Sequence, residues 1–176
     1  MFPCHRAIPS ARSPVFRAML QTDMEESRVG MVEITDFSPK VVEDMLRFMY
    51  TSQEISLNLH QDQCRDHIAE LMKASDKYHL ILLKEACEEA LCLGLKVENC
   101  LISLILADMY QAEELKRCSM EIFVENMNKV IKGSDDWKKC VKNYPDLTVE
   151  ITEQIARRQC TYVNIDTSAP VSQGPD

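Results

Sequence analysis

The sequence predicts a mostly α-helical fold of the α+β class, on three observations. Only four glycines occur in 176 residues, among abundant Leu, Met, Glu, Lys and Ala, which favours helix over sheet. From Ser38 onward apolar residues recur three and four positions apart, the period of helices with one buried face. A single stretch, Met31-Val32-Glu33-Ile34, alternates with the period of a strand.

His5 to Arg12 reads as a short helix with Pro9 in its first turn, because a proline deeper inside would lose a hydrogen bond and clash. Ser13-Pro14 starts a second helix, whose face is Val15, Phe16, Met19 and Leu20. Ser38 offers a cap, and Pro39 the first helical position, for a third with Val41, Val42, Met45, Leu46, Phe48 and Met49 on one broad face. Thr51 to Asn58 interrupts the pattern. Asp62 to Tyr78 then carries Ile68, Leu71, Met72 and Ser75 inward, and Ile81 to Leu93 carries Leu83, Ala86, Cys87, Ala90 and Leu91 until Gly94 ends it.

A second helical set follows. Val97 to Met109 is expected to bury Ile102, Ile105, Leu106 and Met109, and Ala112 to Met127 to bury Met120, Phe123, Val124 and Met127. The two are joined by Tyr110-Gln111 alone and should pack antiparallel. Ser134 to Lys142, holding the single tryptophan Trp137, and Pro145 to about Arg158 make a last pair. Gln159 to Asp176, rich in Thr, Ser, Pro, Gln and Gly, reads as a disordered tail. No fixed-period repeat with a shared side-chain pattern is read from the chain.

A net charge of -8 without a Lys/Arg cluster argues against nucleic acid as a partner. The longest apolar run, Cys100 to Ala107, is far shorter than the roughly 20 residues that cross a bilayer. Met1-Phe2-Pro3-Cys4 is followed by His5-Arg6 and not by an apolar stretch, so no signal peptide is expected there, and no basic cluster chooses between nucleus and cytoplasm. The eight cysteines sit mostly at helical spacing in apolar faces and read as reduced packing thiols. Cys64-x-x-His67 is half a zinc site without its second pair, and Cys87 and Cys92 stand too far apart for the usual two-residue gap.

Catalysis finds no constellation here. There is no phosphate loop, nucleophile elbow, zinc-protease motif or kinase signature. The four histidines, His5, His60, His67 and His79, are scattered, so a thiol hydrolase built on a Cys/His pair has no motif behind it. Adjacent carboxylates such as Glu88/Glu89 point about 100 degrees apart on a helix and do not converge on one atom. The chain is expected to be no enzyme and to use no cofactor or metal.

The residues Asp23-Met24-Glu25-Glu26 place an unbranched apolar side chain in a polar loop, either for local packing or as a knob for a partner's groove. His5-Arg6-Ala7-Ile8 with Ala11-Arg12-Ser13-Pro14-Val15-Phe16-Arg17-Ala18-Met19-Leu20 resembles the first helices of BTB/POZ domains. Met24-Glu25-Glu26-Ser27 leading to Val32-Glu33-Ile34 resembles their speckle-type subgroup, and Met45 to Thr51, Ala74 to Tyr78 and Leu83 to Leu91 continue the resemblance. Val97-Glu98-Asn99-Cys100, Leu106 to Tyr110, Ala112 to Lys116, Trp137 and Tyr144-Pro145-Asp146-Leu147 resemble the helical extension that follows the domain in those proteins.

The resemblance implies a BTB/POZ domain over residues 1–95, incomplete at its amino terminus, a helical-hairpin, BACK-like extension over 96–158 and a tail over 159–176. It implies an adaptor that binds the amino-terminal region of cullin-three for a ubiquitin ligase, and oligomers with itself or with BTB relatives. Met24 is then the knob and Glu26 a hydrogen-bond acceptor, with Tyr78 and Leu80 at the helix–helix turn on the same side. The alternative is an oligomerising or transcription-linked BTB scaffold that binds no cullin. Speckle-type proteins carry a substrate-reading MATH domain ahead of this region, and this sequence begins where a second BTB strand is expected to be under way. Arg6, which in the family sits near an aspartate of the missing strand, is accordingly expected to turn to solvent or the local fold to loosen. Phe2 to Cys4 and Met31 to Ile34 are expected to lack pairing neighbours.

Overall fold

The computed structural model describes residues 1–21, 28–51, 62–132 and 134–166. Helices α1 (Ala7–Arg12) and α2 (Pro14–Gln21) pack together, and α1 also rests on α3 (Pro39–Thr51). Pro9 occupies the first turn of α1, where its missing N–H costs nothing. Ser13 Oγ accepts from Phe16 N–H at 3.1 Å and so caps α2, while Ser38 Oγ accepts from Val41 N–H at 3.4 Å at the start of α3. Arg6 is exposed, and its guanidinium donates to the Leu20 carbonyl at the end of α2, where a cation suits the helix dipole.

Helix α4 (Asp62–Lys77) packs against α3 and forms an antiparallel hairpin with α5 (Ile81–Leu93). Their shared core holds Phe16, Met45, Met49, Ile68, Leu71, Met72, Leu83, Cys87 and Leu91. Gly94 ends α5, as its position suggested, with an ordinary negative φ of -90°.

Helices α6 (Cys100–Met109) and α7 (Glu113–Glu125) form a second hairpin, and α7 also packs on α5. A short α8 (Met127–Ile131) leads to α9 (Asp135–Asn143) and α10 (Pro145–Asp166), which pack on each other and on α6 and α7 respectively. This half has its own core of Cys100, Leu101, Leu104, Phe123, Cys140, Leu147 and Ile151. Arg65 ties the halves together: from α4 its guanidinium reaches the carbonyls of Leu91 (3.4 Å) and Gly94 (3.2 Å) and the Ser103 hydroxyl of α6.

Four sequence expectations need correction. No strand occurs among the described residues, neither at Met31 to Ile34 nor at Phe2 to Cys4. Val32 and Ile34 do pack toward the core while Met31 and Glu33 face out, so the alternation reported sidedness, but a ladder needs a partner that it lacks. In α6 the buried residues are Cys100, Leu101, Ser103, Leu104 and Ala107, whereas Ile102 and Met109 are exposed. A helix apolar on every side gives periodicity nothing to choose between. Helix α10 continues through Asp166, past the predicted end near Arg158; residues 167–176 of the expected tail lie outside the described residues.

The fourth correction is a repeat. Asp76-x-Tyr78-x-x-x-x-Leu83-Lys84 recurs as Asp108-x-Tyr110-x-x-x-x-Leu115-Lys116. Both copies turn identically. Leu80 N–H bonds the Ser75 carbonyl (2.8 Å) and His79 N–H the Asp76 carbonyl (3.1 Å); Ala112 N–H bonds that of Ala107 (2.9 Å) and Gln111 N–H that of Asp108 (3.4 Å). His79 (φ 53°) and Gln111 (φ 51°) take the left-handed conformation that this double bond requires of the residue after the helix.

Candidate functional site

The α4–α5 turn stands at the rim of a groove of about 530 Å³. Arg12 and Pro14 come from α1 and α2, Phe48 and Met49 from α3, and Gln111 from the equivalent α6–α7 turn. Both hairpin turns therefore contribute to one surface. Ile81 and Leu82, in the first turn of α5, line it while 70% and 60% exposed.

What fixes this turn is a set of contacts around Tyr78. Its ring stacks on Phe16 with centroids 4.5 Å apart and planes within 7°. Phe37 lies tilted at 6.4 Å, and Lys77 Nζ is 5.4 Å from the Tyr78 centroid. Lys77 is itself held by Asp36 at 2.7 Å; that hydrogen bond holds the Asp36 carboxyl below its ordinary range and the ammonium above its own. Burial pushes the Tyr78 phenol up. Ser13 Oγ donates to the Tyr78 carbonyl at 2.6 Å, fastening the turn to the cap of α2. Across the turn, Lys84 Nζ donates to Asp76 Oδ1 at 2.6 Å.

Of the residues singled out in the sequence, Tyr78 and Leu80 are buried, 2% and 5% exposed. Tyr78 packs in the core, and Leu80 floors the groove. Met24 and Glu26 lie outside the described residues, between the end of α2 at Gln21 and the resumption at Arg28. Ile81 and Leu82 were missed. Their signal was the unbroken apolar run Leu80-Ile81-Leu82-Leu83 at a helix start, where only Leu80 and Leu83 turn inward.

The described residues contain no cluster of three or more His, Cys, Asp or Glu placed to hold a metal, and no helix long and apolar enough to cross a membrane. His67 Nε2 lies 2.9 Å from Asp44 Oδ2, and Lys40 takes the other carboxylate oxygen at 3.1 Å. That arrangement satisfies a buried carboxylate between α3 and α4. What the surface offers is apolar contact with charged flanks, the anatomy of a protein-docking patch.

A helical scaffold presenting such a patch at its turns is an interaction module, and comparison with known proteins agrees. The BTB/POZ domain family model matches residues 1–95. The chain belongs to the BTB/POZ family. It is 36% identical over 162 residues to the mouse (Mus musculus) proteins "TD and POZ domain-containing protein 1" and "TD and POZ domain-containing protein 1-like", covering 92% of this chain and 43% of each relative. The chain thus spans less than half the length of these curated relatives.

Proposed function

We propose that this protein is an adaptor of the speckle type, docking on the amino-terminal region of cullin-three through its BTB domain, residues 1–95, and a BACK-like helical extension, 96–158. The groove at the α4–α5 turn carries this reading. Ile81 and Leu82 project into solvent at its rim, where burial against a partner is their hydrophobic gain. Gln111 brings the extension to the same groove, which supports a surface shared by both parts. In this reading Met24 is an apolar knob for the partner and Glu26 a hydrogen-bond acceptor, while Tyr78 and Leu80 stand at the α4–α5 turn.

The test is calorimetric titration of the full chain with the amino-terminal region of cullin-three, after light scattering has established a monodisperse sample. Binding by the parent chain and its loss in Met24→Asp, with an unchanged circular-dichroism spectrum, is the expected result. A folded, monodisperse chain that does not bind overturns it.

A second reading, an oligomerising scaffold without cullin affinity, is favoured by the exposed Phe2, Val29 and Met31 of the amino-terminal segments. It predicts self-association that persists in Met24→Asp.

A further inference from the structure

Helix α5 carries Glu85, Glu88, Glu89, Cys92 and Leu93 at intervals of three and four, the spacing of one helix face. With Glu114 of α7 this stripe lines a shallow cavity of about 440 Å³ that no cation lines. Two of its carboxylates are engaged: Glu88 accepts from the Leu115 N–H at 3.0 Å, and Glu114 holds Arg117 at 2.5 Å. The carboxylates of Glu85 and Glu89 are exposed and have no partner among the described residues. Leu93, which ends the stripe, is 73% exposed.

The opposite pattern stands on α9. Lys138 and Lys142 are four residues apart, as Glu85 and Glu89 are, about 6 Å along a helix axis. Val141, three residues on from Lys138, is exposed beside them. Lys142 has no carboxylate partner among the described residues, and Lys138 has Asp135 in a fully surface pair that water screens. From Met127 to Asn143, Lys129, Lys132, Lys138, Lys139 and Lys142 outnumber Asp135 and Asp136, in a chain whose net charge is -8. Positive charge and an open apolar side chain therefore sit together at this end of an acidic molecule.

We infer that the α9 face of one copy docks on the α5 stripe of a second copy, with Lys138 and Lys142 against Glu85 and Glu89 and Val141 beside Leu93. Charge complementarity selects this occupant: the stripe calls for cations at the pitch of a helix with an apolar neighbour, and the chain itself presents them. Exposed ion pairs contribute little singly, so burial of Leu93 and Val141 supplies the adhesion while the charges set partner and register. The two faces belong to different elements, which makes the contact heterologous. Each is only a few side chains wide, at the low end of specific interfaces, so the association is weak and depends on concentration. It uses neither the groove at the α4–α5 turn nor the exposed Phe2, Val29 and Met31.

Sedimentation equilibrium of the full chain over a range of concentrations reads the association. In about 0.1 M salt, where the Debye length of about 10 Å screens the net charge but spares contact pairs, the mass of the parent should rise with concentration. In about 1 M salt its association constant should fall by about tenfold or more. Lys138→Glu/Lys142→Glu and Glu85→Lys/Glu89→Lys alter exposed positions and should each be monomeric with an unchanged circular-dichroism spectrum. An equimolar mixture of the two should associate again, because each presents the charge that the other's facing surface now lacks. A parent that stays monomeric, leaving the stripe to a foreign basic partner, overturns the inference. So does self-association that both variants retain, as contact through Phe2, Val29 and Met31 would give, or a mixture that remains monomeric.

Discussion

Lys84 reaches back over the α4–α5 turn to Asp76, 2.6 Å between Nζ and Oδ1, and Lys116 repeats the reach to Asp108 at 2.9 Å over the α6–α7 turn. The second lysine also holds Glu150 of α10 at 2.7 Å. Burial works against the Lys116 charge, yet the hydrogen bonds to Glu150 and Asp108 prevail and its pKa is raised. The partners are one-third or more exposed, so water screens both pairs. Lys116→Met is expected to cost about 1 kcal/mol and Lys84→Met about half that, measured by urea unfolding.

Ser119 is fully buried, and its hydroxyl has no hydrogen-bond partner among the described residues. Position 119 corresponds in the repeat to Cys87, also fully buried. An unpaired buried hydroxyl carries its desolvation cost without return, so Ser119→Ala should stabilise the chain by about 1 kcal/mol. A lower urea midpoint for the variant would refute this.

Arg65→Ala should be far more damaging, by about 2 kcal/mol, since it strips a charged donor from the carbonyl end of α5 and from Ser103 together. Arg65→Lys, a single ammonium in place of a planar fork, should recover only part of the loss. Thermal melts of the three proteins compare them directly.

Burial pushes the Cys87 thiol from 9.0 up to about 12. Below pH 9 the thiol is protonated in folded and unfolded chains alike, and the associated stability is fully present. Between pH 9 and 12 the unfolded chain loses this proton while the folded one keeps it, so stability falls by roughly 1 kcal/mol per pH unit from this group. Cys87→Ala should give a shallower decline than the parent over that interval, although it is less stable at neutral pH through the space it leaves.

Ile81→Asp and Leu82→Asp alter exposed positions and should leave the unfolding free energy within about 0.5 kcal/mol. Under the docking reading each weakens cullin-three binding at least tenfold in the same titration. Retained affinity in both would move the contact away from this groove.

The helical frame was legible because its signals are local. Ser38-Pro39 marked the start of α3, and Ile81 to Leu93 was bounded as it stands, by a turn on one side and Gly94 on the other. Helix α6 was harder, since Cys100 to Ala107 is apolar around its circumference and only its neighbours decide which residues are covered. The 32-residue repeat escaped because its matches are a turn tyrosine, an acidic residue and a returning lysine, not an apolar stripe. The groove required knowing that two turns distant in sequence converge, and no single helix face records that. Met24 and Glu26 were chosen by resemblance to a family motif, a signal that composition and periodicity do not contain.

Trp137, the single tryptophan, belongs to the second core and lies 5.5 Å from the ring of Phe123. No such reporter sits in the first core, so indole fluorescence watches one end of the molecule while far-ultraviolet dichroism watches all of it. Superimposable melts would mean that the Arg65 clamp makes the two cores a single cooperative unit; an earlier fluorescence transition would mean that the carboxy-terminal half unlatches while the BTB half persists.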